Sequence, residues 1–147
     1  MNLQLLETEL KRDEGIRYQP YKDTEGYWTV GVGYNLDAHP LPDGVSLPLS
    51  NTEVDILLEI SIKDVLKGLK THLPWYERLD EVRQRVLANM AFNLGIYGLL
   101  KFKKTLAAVE RGDYKVAATE MLSSPWAMQV KGRAIRLAGA MTTGEMP

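Results

Sequence analysis

Two carboxylates and a hydroxyl, Glu14, Asp23 and Thr29, follow one another with eight residues between the first pair and five between the second. Glu14 closes the helix that Leu3, Leu6 and Leu10 predict, where unpaired carbonyls and the negative dipole end disfavour a carboxylate anion. An acid that keeps its proton can donate it to a leaving oxygen. Asp23 falls in the polar group Lys22-Asp23-Thr24-Glu25-Gly26, a hydrated turn that favours the ionised form, and Thr29 adds a hydroxyl able to hold a water with it. Carboxyls whose surroundings push their proton affinities apart suit general acid and base work such as glycoside hydrolysis. The helical wheel alone admits Glu7 and Asp13 beside Glu14, and Asp23 equally fits plain turn chemistry.

Other chemistries have less support. The chain has no cysteine, so thiolate metal sites, disulfides and Cys nucleophiles are absent. His39 and His72 are its only histidines and lie far apart in the sequence, so no zinc site and no metal is expected. Gly31-Val32-Gly33-Tyr34-Asn35-Leu36 lacks the third glycine of a dinucleotide fingerprint and runs into a proline-rich loop, so no cofactor is expected either. Gly44-Val45-Ser46-Leu47-Pro48 lacks the last glycine of a nucleophile elbow. The net charge of -1 removes the broad positive field of a nucleic-acid binder, although Lys101-Phe102-Lys103-Lys104 is locally basic.

The elements that must position the three groups follow from pattern. The 147 residues, 45% hydrophobic and 25% charged, suit a single domain able to bury a core. Helix one spans residues 3–14 and ends at Gly15. Arg17–Tyr21 and Tyr27–Tyr34 then read as a hairpin, with Trp28, Val30, Val32 and Tyr34 on one face of the second strand and Tyr27, Thr29, Gly31 and Gly33 on the other. Residues 37–50 hold three prolines and a glycine and read as a loop. Ser50 and Glu53 offer a capping box for a helix of about five turns, and three or four further helices follow, the last opened by Ser124 and Pro125. The expected class is α+β, mostly α. A small β-hairpin lobe (about 15–50) and a larger helical lobe (about 70–147 with the N-terminal helix) are linked by the helix at about 52–69, with a cleft between the lobes.

The Glu14, Asp23, Thr29 set resembles the catalytic signature of the phage-type lysozymes, the endolysin muramidases related to those of T-even phages. Asp13-Glu14-Gly15 and the run from Tyr21-Lys22-Asp23-Thr24-Glu25-Gly26 to Thr29-Val30-Gly31-Val32-Gly33 follow that family's helix, hairpin and Gly-X-Gly strand. Asn89-Met90-Ala91-Phe92-Asn93-Leu94-Gly95, Phe102-Lys103-Lys104-Thr105-Leu106 and Lys131-Gly132-Arg133 extend the likeness over nearly the whole chain. The chain departs from the best-known members at Tyr34-Asn35, where they have His-Leu, and in a shorter, more proline-rich loop at 37–50.

The resemblance implies a lysozyme-like fold and an inverting glycoside hydrolase that cuts the β-1,4 bond between N-acetylmuramic acid and N-acetylglucosamine in peptidoglycan. Inversion calls for carboxyls about 6.5–9.5 Å apart, room enough for a water. Glu14 is then the acid, and Asp23 with Thr29 holds and activates the water. Asn35, Phe92, Asn93 and Thr105 contact substrate, and Arg133 stands near Glu14, where it stabilises the anion. An inactive glycan-binding or structural domain with the same fold is the other reading. The N-terminus has no long apolar run, so neither leader nor membrane span is expected. An endolysin of this kind waits as a monomer in the host cytoplasm until the membrane is opened. Residues 101–147 carry 8 basic and 4 acidic side chains, against 4 and 8 in residues 1–50. Lys131, Arg133 and Arg136 in that segment offer a contact to anionic wall or outer-membrane lipid.

Overall fold

Leu6 and Leu10, four residues apart, form the buried stripe of α1 (Leu3–Glu14), whereas Leu3 is exposed. The helix ends where the pattern places its stop. Gly15 adopts φ +76°, and its N–H donates to the Lys11 carbonyl at 2.9 Å, the single bond of a left-handed helix cap. The computed structural model describes residues 1–146. By its internal contacts the chain forms two compact units, Leu3–Asp64 and Val65 onward with Met1–Asn2.

In the first unit, β1 (Arg17–Lys22), β2 (Trp28–Gly31) and β3 (Tyr34–Asn35) form an antiparallel sheet in that order. The single long second strand expected from residues 27–34 is therefore two strands. Gly31 and Gly33 both hold positive φ, 67° and 68°, so the chain reverses around Val32 and Tyr34 returns to pair with Val30. A Cβ on Gly31 would meet the Leu49 methyl at 3.4 Å, an ordinary contact, so it is the positive φ that calls for glycine there. The β1–β2 register shifts between Arg17 and Tyr21, across Pro20, which has no N–H to give the ladder.

Residues 37–50 contain no helix or strand, but the loop is pinned at several points. Tyr34 donates its hydroxyl to the Pro40 carbonyl at 2.8 Å, and Leu49 N–H donates to the Tyr18 carbonyl at 2.9 Å. The loop ends in the expected capping box: Ser50 N–H donates to Glu53 Oε1 at 2.9 Å, and Glu53 N–H donates to Ser50 Oγ at 3.1 Å. It opens α2 (Asn51–His72), about one turn longer than the pattern suggests.

Glu53 also accepts from Ser46 N–H at 3.0 Å, and the Ser50 and Ser46 backbone donors hold its carboxyl below the usual carboxylate range. A folded value lower than the unfolded one stabilises the native state above the unfolded pKa, and that stabilisation disappears as pH falls through the folded pKa. Glu53→Gln is therefore expected to melt below the parent at pH 7, with the two melting curves converging as pH drops well under 4.5, the carboxyl's ordinary value. Thermal denaturation across pH 2–7 checks this; a gap that stays constant with pH would contradict it.

The second unit contains a 3₁₀ turn (Tyr76–Arg78), α3 (Glu81–Leu94), α4 (Ile96–Leu100), α5 (Lys103–Glu110), α6 (Tyr114–Leu122), α7 (Pro125–Val130) and α8 (Gly132–Thr143). Residues Val86 to Ala91 of α3 are buried without interruption, which makes it the central helix, and α8 packs on α3, α6 and α7. The last predicted helix is in fact two. It opens as expected, with Ser124 as cap and Pro125 in the first turn, but Lys131 takes φ 53° and ψ -111°, so helical bonding stops there and α8 starts in a new direction. The short α4 has no counterpart among the expected elements. It is one turn between Gly95 and Lys101, too short for a periodic stripe to mark it. The architecture is α+β and mostly α.

Candidate active site

The local fold of the hairpin turn decides what Asp23 can do. Asp23 Oδ1 accepts from the N–H groups of Glu25 and Tyr27, both at 2.9 Å, so one oxygen of the carboxylate is committed to shaping the turn. Its other oxygen, Oδ2, accepts no hydrogen bond among the described residues. Asp23 N–H donates to the Tyr27 carbonyl at 2.9 Å, and the Thr29 hydroxyl donates to that same carbonyl at 3.1 Å. Asp23 and Thr29 are thus tied to one backbone oxygen. A carbonyl only accepts, so the Thr29 hydrogen is spent on it and the hydroxyl oxygen keeps its lone pairs for another donor. Thr29 is 4% exposed, its rotamer set by this bond.

Glu14, the last residue of α1, is half-buried, and Tyr21 relates it to Asp23. Burial pushes the Tyr21 phenol up, the Glu14 carboxylate adds to the rise, Arg17 opposes it and Asp23 raises it further. Both carboxylates therefore act on one phenol. Among the described residues no group of three or more His, Cys, Asp or Glu is arranged to hold a metal ion.

Residues 11–142 match the family described as phage lysozyme. The chain belongs to the phage lysozyme family. It is 32% identical over 157 aligned residues to the pre-baseplate central spike protein Gp5 of Enterobacteria phage T4, an alignment that takes in 93% of this chain and 27% of Gp5. The chain thus spans about a quarter of that relative. Probable T4-type lysozymes 1 and 2 of Dictyostelium discoideum are 29% and 31% identical, each with 93% of both chains aligned.

Within this lysozyme-family chain the remaining candidates divide between the two units. Asn35 stands opposite Thr29 on β3, with its Oδ1 accepting from Asp37 and Ala38 N–H at 2.9 and 3.0 Å. The other four belong to the unit from Val65. Phe92 is half-buried on α3. Asn93 is exposed and accepts from Trp126 Nε1 at 2.7 Å. Thr105 is buried at the edge of a cavity of about 770 Å³ that Phe102, Trp126, Lys103 and Lys104 help to line. Arg133 is 8% exposed, with Nε donating to Asn89 Oδ1 at 2.8 Å. It is therefore turned inward, and of Lys131, Arg133 and Arg136 only Lys131 and, in part, Arg136 present their charge to solvent. Nothing in the local sequence marks Tyr21, because its place depends on the register shift around Pro20 and no local pattern encodes that shift.

Proposed function

We propose that the chain is an endolysin that hydrolyses the β-1,4 bond between N-acetylmuramic acid and N-acetylglucosamine of peptidoglycan, with inversion. The observation that supports this reading is the joint anchoring of the Asp23 N–H and the Thr29 hydroxyl on the Tyr27 carbonyl, with Asp23 Oδ2 and the lone pairs of Thr29 Oγ1 left as acceptors in the same hairpin. A water that donates one hydrogen to Asp23 Oδ2 and the other to Thr29 Oγ1 has its own lone pair left for C1 of the muramic acid. Glu14 gives its proton to the glycosidic oxygen as the C1–O bond breaks, and Asp23 takes the proton of the attacking water. Both carboxyls then return to their starting states through solvent.

Asn35, Phe92, Asn93 and Thr105 contact the glycan or its stem peptide in this reading, and Arg133 has a supporting part. Lys131 and Arg136 supply the contact to anionic wall or outer-membrane lipid, and the enzyme acts as a monomer released from the host cytoplasm.

Digested peptidoglycan is expected to yield fragments with muramic acid at the reducing end, and the anomeric NMR signal that appears first is expected to be α. Mass analysis separates this outcome from its competitors. A reducing-end glucosamine, a 1,6-anhydro sugar or a freed stem peptide would each refute the bond assignment, and a β signal appearing first would refute inversion.

A further inference from the structure

Tyr21 lies among the groups of the proposed site without a role in the steps above. The β1–β2 register sets Tyr21 opposite Thr29, and the β2–β3 register sets Asn35 opposite Thr29 from the other side. Residues directly opposed in an antiparallel pair project from the same face, so Tyr21, Thr29 and Asn35 form one row across three strands. The next pair, Lys22 and Trp28, projects from the reverse face, with Lys22 Nζ 5.3 Å from the Trp28 ring centre. Arg17 covers one side of the Tyr21 ring at 4.9 Å and so limits how it can turn.

The Tyr21 hydroxyl makes no hydrogen bond to any described residue, although the side chain is half-buried. Tyr18, Tyr34 and Tyr76 all donate to protein acceptors at 2.6–2.8 Å. A partly buried phenol normally finds such a partner. The influences that raise its pKa, burial foremost, keep the phenol protonated, so it presents a donor to whatever occupies the space beside it.

We propose that Tyr21 is a substrate-contacting residue whose phenol O–H donates a hydrogen bond to an oxygen of the sugar being cleaved between Glu14 and Asp23. The inference rests on the muramidase reading above and adds to it a donor on the face that already carries Thr29.

Tyr21→Phe keeps the ring under Arg17 and removes only the hydroxyl. Its kcat/KM on soluble peptidoglycan fragments is expected to fall about tenfold with Tm unchanged, since no hydrogen bond within the protein is lost. A second measurement avoids turnover: in a Glu14→Gln background, adding Tyr21→Phe is expected to weaken calorimetric binding of uncleaved glycan fragments about fivefold. A Tyr21→Phe enzyme within twofold of the parent, beside an inactive Glu14→Gln, would overturn the Tyr21 proposal and leave the catalytic assignment standing. A Tm drop of many degrees that accompanies the activity loss would make Tyr21 structural and overturn it too. Full activity in Glu14→Gln would overturn the reading on which the proposal rests.

Discussion

Glu14→Gln is expected to lose about 10²–10⁴-fold in kcat on purified peptidoglycan, the range that a general acid supplies. The amide is nearly isosteric with the carboxyl but cannot give a proton to the departing sugar oxygen. Glu14 terminates α1 and Gly15 forms the cap through its own backbone, so the helix end does not depend on the carboxylate. Circular dichroism and Tm are therefore expected to stay close to the parent while turbidity clearing disappears. Clearing within tenfold of the parent would remove Glu14 from the mechanism.

Asp23→Asn is expected to lose on the order of 10²–10⁴-fold as well, and for a more specific reason. The Glu25 and Tyr27 N–H groups require an acceptor, and the amide oxygen of asparagine satisfies both as Asp23 Oδ1 does. Its NH₂ group is then forced into the place of Oδ2. In the proposed mechanism a donor then faces the attacking water where an acceptor stood, and both the base and the polarity that orients that water are lost. The turn itself is preserved, and Tm is expected to change little. Steady-state kinetics with soluble fragments check the prediction; kcat above one tenth of the parental value would exclude Asp23 as the base.

These two variants differ in how far their residues can be read from the chain. Glu14 is placed by a signal spanning a few positions: leucines at 6 and 10, then a glycine able to take positive φ. The Ser50–Glu53 box and the Ser124–Pro125 helix start are equally local, and the structure contains both. Asp23 is placed in a turn by composition, but nothing in that composition shows that one of its oxygens is spent on the backbone and the other is not.

Local propensity acts over about one turn of helix or one strand pair, and within that range this chain states its elements plainly. The stop of β2 at Gly31, the break at Lys131, the inward Arg133–Asn89 pair and the row formed by Tyr21, Thr29 and Asn35 depend on other contacts. Asn89 and Arg133 are 44 residues apart, and the row requires a two-sided register around an irregular β1. A one-residue slip in that register would send each of its side chains to the opposite face at almost no cost in local preference. Helix ends and turn chemistry thus follow from neighbours in the chain, whereas the row of Tyr21, Thr29 and Asn35 arises only when three strands pair in one register.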